Sequence, residues 1–199
     1  SIGWPVASAL SPPLYLRFGY RDTALAGALL IVGAAIGFLV LQPTAPVGWV
    51  VLDQVVLGAG FGLLATPLLV GVQAIVSWQE RGVVTGANIF SRYLGQSLGA
   101  ALFGAIFNRA IAQSLAAAPA VLRAELPQNI DAVIGELHRQ ALPAAADEYL
   151  RLAIYTATHQ VYVGLALVAL LTLLVVLFTP RHFPASIEPE SNRASQRRG

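Results

Sequence analysis

The 199-residue chain has no cysteine, no methionine and no lysine, and only 11% of its residues are charged. Without cysteine there is no disulfide framework, thiolate metal site or thiol nucleophile. Without methionine there is no initiator. The chain opens at Ser1 inside an apolar stretch that lacks the charged n-region of a signal peptide, so a longer protein truncated at its N-terminus is expected. The scarcity of charge excludes more. Soluble domains carry about a quarter charged residues, and a domain of this size must cover its exposed surface with them. A chain that is 56% hydrophobic is instead suited to lipid.

A bilayer core of about 30 Å takes about 20 apolar residues per helical crossing, because in lipid every backbone N–H and C=O must be bonded within the segment. Four segments meet that standard: 23–42, 48–76, 83–107 and 161–178. Residues 1–16 read as the end of a fifth. The 48–76 segment is longer than a crossing needs, and Pro67, which removes a backbone donor, is a cause for tilt or bending. The fold class is thus all-α, a polytopic transmembrane helix bundle.

The connecting segments carry the topology. Arg17, Arg21 and Arg81, with Arg181, Arg193, Arg197 and Arg198 of the tail, fall on one side if crossings alternate, and that side is expected to be cytoplasmic. The 108–160 loop on the other side is divided by Pro119, Pro127 and Pro143. Within it, Ile130, Val133, Ile134 and Leu137 are spaced as on a short amphipathic helix, which serves as a membrane-surface lid or as a solvated linker. Pro143, with Asp147 and Glu148 after it, reads as a helix start that can run into the last crossing. The polar tail, 179–199, is expected to be disordered.

Polar residues inside such spans are costly and mark function. Arg92 lies about 14 Å into its segment, at 1.5 Å per residue, and shares a helix face with Asn88 and Gln96. That face binds substrate or couples to protons, or else Arg92 is structural, bonding a neighbouring helix. In the 48–76 span, Gln54, Gly58, Gly62, Thr66 and Gln73 share a weakly polar face. Asp53 points away from it, roughly 20 Å in depth from Arg92 by the same rise; it is either a protonatable gate or an interfacial carboxylate. His159, between Tyr155 and Tyr162, is either a titrating group or part of an interfacial belt. Small-residue stripes occur at Ser91, Gly95 and Gly99, at Gly58 and Gly62, and at Gly33 and Gly37. His138 and His182 are too dispersed for a metal site. Neither a hydrolase constellation nor a nucleotide motif is found, so no catalytic residue, metal or cofactor is assigned. The tail arginines suit a membrane surface, with no nucleic acid implied.

Two stretches carry a resemblance: Glu80-Arg81-Gly82 with Thr85-Gly86 and the run from Phe90 to Ala101, and the run from Leu14 to Arg21. The first resembles the penultimate helix of the fourteen-helix drug:proton antiporters of the major facilitator superfamily. The second resembles the cytoplasmic loop motif of that family, with Arg17, Gly19 and Arg21 at its matching positions, although no Asp precedes Arg17. The resemblance implies that residues 1–178 are a C-terminal transporter half whose second, fourth and fifth helices line a central cavity. By that analogy Gln54, Gln73, Asn88, Arg92 and Gln96 are cavity candidates. It further implies a multi-pass cell (inner) membrane protein with a cytoplasmic C-terminus, partnered by the lipid bilayer and by the missing N-terminal half of the same transporter. Its activity would be the export of small amphipathic substrates in exchange for protons. A carrier of another solute class, such as a sugar or organic acid, and a non-transporting membrane scaffold are the alternatives.

Overall fold

The computed structural model describes residues 2–127 and 142–179. The amphipathic segment expected around 129–140 and the tail from residue 180 lie outside the described residues. Among the described residues the chain is all helix and turn: α1 (Gly3–Phe18), α2 (Tyr20–Val40), α3 (Val47–Ile75), a 3-10 turn (Trp78–Glu80), α4 (Arg81–Ala116), α5 (Ala120–Arg123) and α6 (Ala144–Leu177). Helices α2, α3, α4 and α6 are long and apolar enough to cross a membrane. With no water to satisfy the backbone in lipid, such sequences close their hydrogen bonds helically.

Helix α3 is the centre of the bundle, with α1 and α2 packed on it, while α6 lies against α2 and α4. Its glycines set the spacing. A Cβ at Gly27 of α2 would sit 2.6 Å from the backbone nitrogen of Leu64, and one at Gly60 would sit 2.7 Å from the Ile31 side chain. On the α1 side, a Cβ at Gly62 would lie 2.7 Å from that of Ala7, and one at Gly3 would collide with the Val55 carbonyl. A buried core of Ala24, Ala28, Ile31, Ala35, Leu64 and Ala169 joins α2, α3 and α6. Pro67 is buried inside α3, and the helix continues past it to Ile75.

Two helices overrun the expected spans. At 1.5 Å per residue, α4 and α6 are each about 50 Å long, well beyond a bilayer core of about 30 Å. The loop expected from 108 to 160 is therefore helical at both ends: α4 continues to Ala116, and α6 begins directly after Pro143 and runs unbroken into the last crossing. These extensions pack on each other and on the segment around α5 through Ile111, Ala118, Leu126, Ala146, Leu150 and Ala153, with Leu122 of α5 against them. The Tyr149 hydroxyl donates to the Ser114 carbonyl at 2.7 Å, and Arg123 donates to the Ala116 and Ala118 carbonyls at 3.2 and 3.0 Å, closing the end of α4.

The turn into α4 is held by a capping box, in which the Ser77 hydroxyl and amide donate to the Glu80 carboxylate at 2.7 and 3.2 Å. These bonds hold the Glu80 carboxyl below its ordinary value. A depressed carboxylate stabilises the fold above its unfolded pKa and loses that contribution as pH falls through the folded one. Amides of the α3–α4 junction, followed by hydrogen exchange in the full-length protein, are therefore expected to lose protection as pH is lowered below about 4, and Glu80→Gln is expected to abolish that dependence. The close crossings give a second expectation. Gly62→Leu should destabilise the protein by about 1–3 kcal/mol, the usual cost of overpacking, seen as a lower melting temperature in detergent. Gly33→Ala, which meets nothing within 4 Å, should leave it unchanged.

Candidate functional site

Every residue of α4 from Gly86 to Leu98 is exposed, so the stretch that carries Asn88, Arg92 and Gln96 presents its polar groups on an open side of the bundle. Asn88 borders a cleft of about 370 Å³ with Leu69, Val72, Val84 and Ser91, between α3 and α4. Arg92 leans the other way. Its guanidinium lies over the ring of Trp4 on α1 at 5.8 Å and over that of Tyr93 at 5.7 Å. Trp4 in turn stacks on Phe61 of α3, with centroids 6.0 Å apart. Arg92 of α4 thus meets α1 directly and α3 through the Trp4–Phe61 stack. The small residues Gly95 and Gly99 of α4 approach no other helix among the described residues.

The remaining cavity candidates do not join this cluster. Gln73 donates to the Thr85 hydroxyl at 2.8 Å, which ties the end of α3 to the start of α4. Gln54 is exposed and lies nineteen residues before Gln73 on α3, about 28 Å away by helical rise. One helical face is shared by both glutamines, but one site is not.

A second polar group of residues gathers at the end of the bundle remote from Arg17 and Arg21. Asp53 on α3 presses its carboxylate onto Gly37 of α2, where any side chain would collide with it. Its Oδ2 is buried with no hydrogen-bond partner, an unusual state for a carboxylate oxygen. Tyr162 of α6 stacks on Phe38 of α2 at 4.9 Å. Asp53 also lines an opening of about 630 Å³ with Gly37, Gln42, Trp49 and Leu52. Beside it, the Tyr155 hydroxyl donates to the Leu41 carbonyl at 3.2 Å, and the His159 ring lies 5.7 Å from that of Tyr155 with its Nδ1 buried and unpartnered.

The residues of the expected loop motif sit at the α1–α2 junction. Gly19, at φ 92°, makes the left-handed break between the two helices, where a side chain would be strained. Arg17 lies over the Phe18 ring at 5.4 Å. Arg21 reaches across the bundle and donates to the Leu177 carbonyl at 2.7 Å, placing the end of α6 beside the start of α2 as alternating crossings require. A cation at a helix C-terminus satisfies orphan carbonyls and opposes the helix dipole. Arg21→Ala is therefore expected to cost roughly 1 kcal/mol and to raise hydrogen exchange in the last turn of α6, with partial recovery in Arg21→Lys.

Trp4, Phe61, Tyr93 and Gly37 are the site residues that sequence reasoning missed. The first three looked like ordinary apolar filling, and only a register between helices could have singled them out. Gly37 was visible as one of a pair of small residues, but its partner is a carboxylate and not another helix backbone. His138 and His182 lie outside the described residues, and among the described residues no group of side chains could hold a metal ion.

An all-α, multi-pass membrane bundle with polar groups on its open side defines a class, and similarity to known proteins narrows it. The chain is 31% identical over 160 residues, 78% of its length, to the MFS siderochrome iron transporter C of Aspergillus fumigatus, of which it covers 25%. It is 33% identical over 155 residues, 71% of its length, to an uncharacterized MFS-type transporter of Mycobacterium tuberculosis, covering 22% of it. It is 35% identical over 124 residues, 61% of its length, to a siderophore iron transporter of Emericella nidulans, covering 20% of it. The chain spans about a quarter of the length of the curated relatives it matches. No family model and no solved structure matches it. The chain belongs to the major facilitator superfamily, whose matching members are named as transporters and not as enzymes.

Proposed function

We propose that the chain is the C-terminal half of a secondary transporter that exports small amphipathic compounds in exchange for protons, rocking against an N-terminal half of the same protein. The observation that carries this reading is the open polar stretch of α4, because a helix exposed from Gly86 to Leu98 and bearing Asn88, Arg92 and Gln96 suits a cavity shared with a second half. The arginine-bearing end and the C-terminus would face the cytoplasm of a cell whose inner membrane holds the protein. Asp53 would take up the proton at the opposite end. Its carboxylate has a buried oxygen with no hydrogen-bond partner and borders an open cleft, so a proton from that side can reach it. A second reading, that the cargo is a chelated iron complex, is favoured by the names of two relatives.

Efflux of a fluorescent dye by the full-length protein in vesicles tests the proton coupling. Collapsing the proton gradient is expected to reduce efflux at least tenfold, and Asp53→Asn is expected to do the same while leaving membrane abundance unchanged. Efflux that persists undiminished without the gradient would rule out proton exchange. Undiminished efflux in Asp53→Asn would remove that residue from the coupling.

A further inference from the structure

We propose that Arg92, Trp4, Phe61 and Tyr93 form a substrate subsite selective for an organic anion with a flat aromatic body, and that it disfavours lipophilic cations. The inference rests on the transport reading above and adds the chemical class of what is carried.

Among the described residues no carboxylate pairs with this charge. Helices α1 and α4 contain no acidic residue, and the one acid of α3, Asp53, bears on Gly37 of α2 instead. Among the described residues Arg92 makes neither an ion pair nor a hydrogen bond to protein; its neighbours are the faces of Trp4 and Tyr93. Aromatic faces steady a guanidinium through their quadrupole, yet they use none of its five N–H donors. A guanidinium anchored in this way offers its fork to a carboxylate or sulfonate, which it grips in a planar, two-point contact.

The aromatic part of the ligand has its own support. Trp4 and Phe61 stack nearly parallel, at an interplanar angle of 23°, and Phe61 stays exposed, which gives an aromatic platform with Trp4 beside the cation. An aromatic ring carrying an anionic group could stack on this platform while its charge meets Arg92. A cationic amphiphile would find the same platform but would have to approach a fixed like charge. Anchors drawn from three helices also give a ligand leverage on the packing of α1, α3 and α4 together.

The test is equilibrium binding, by titration calorimetry in detergent, of a matched pair of probes to the full-length protein: 2-naphthoate and 2-naphthyl-trimethylammonium. The wild type is expected to bind the anion at least tenfold more tightly than the cation. Arg92→Gln should erase the difference, Arg92→Lys should keep part of it, and Trp4→Leu should weaken both probes. Each variant should melt within a few degrees of the wild type, and Arg92→Lys guards against a folding defect in Arg92→Gln. Equal binding of the two probes, a preference for the cation, an anion preference that survives in Arg92→Gln, or no binding of either probe would overturn the proposal. An acid supplied to Arg92 by the rest of the protein would show itself as the first of these. Proton-driven efflux of a cationic dye combined with no anion preference would sink the charge selection and leave the transport reading standing.

Discussion

The backbone of α3 is touched from two sides at once between Val55 and Leu64, and the rest of the bundle is arranged around that double approach. Gly58 and Gly62, one turn apart, face α1, while Gly60, about 200° around the helix from Gly58, faces α2. Within lipid there is no hydrophobic force to press helices together, because the tails are as apolar as the side chains. Close packing of backbone on backbone takes over that role. Three glycines two residues apart therefore give one helix two thin faces, and they make α3 the element against which both neighbours set their position. The small buried residues of α2, among them Ala24, Ala28 and Ala35, extend the same principle toward α6.

The contrast with α4 follows from the same rule. Its glycines from Gly82 to Gly95 meet no other helix, and its middle is exposed on all sides. It is held at its ends: by Gln73 and Thr85 with the Ser77–Glu80 cap at one, and by α5 and α6 at the other. A helix fixed at both ends and unpacked in the middle can carry a charged residue there, because no apolar neighbour has to exclude water from it. Arg92 has instead the weaker company of aromatic faces, which leaves its hydrogen-bonding capacity free.

Much of the architecture was legible from hydropathy alone, since a crossing needs a run of apolar residues and little else produces one. The helix ends were not legible in the same way. The continuation of α4 past Phe107 contains Asn108, Arg109, Gln113 and Ser114 among alanines. Its hydropathy falls while its helix propensity stays high, so a reading bounded by apolarity stops too early. Pro143 followed by acids did mark the start of α6, because capping and dipole effects act locally and leave a local signature. The face shared by Asn88, Arg92 and Gln96 was equally a matter of spacing along one helix. What surrounds Arg92 was not, because which turn of α1 or α3 stands opposite depends on glycine contacts whose pairing a single sequence leaves open. The same limit hid Gly37: a small residue announces that something comes close without saying what.

Asp53 and Arg92 are the charged residues inside the apolar spans 48–76 and 83–107, and how they are joined has a consequence for how they could cooperate. No ion pair joins them: Asp53 bears on Gly37, and Arg92 lies against the rings of Trp4 and Tyr93. Coupling between them would therefore have to be mechanical. Each has a route to the same element: Asp53 sits on α3 and bears on α2 through Gly37, and Arg92 reaches Trp4, which stacks on Phe61 of α3. Only eight residues separate Asp53 from Phe61, about 12 Å of continuous helix, with the tight glycine crossings between and around them. A shift of α3 against α1 or α2 would disturb both groups at once, because backbone-on-backbone contact leaves no compliant side chain to absorb it. The rigidity that holds the bundle together is thus also what allows a change at one charged residue to reach the other.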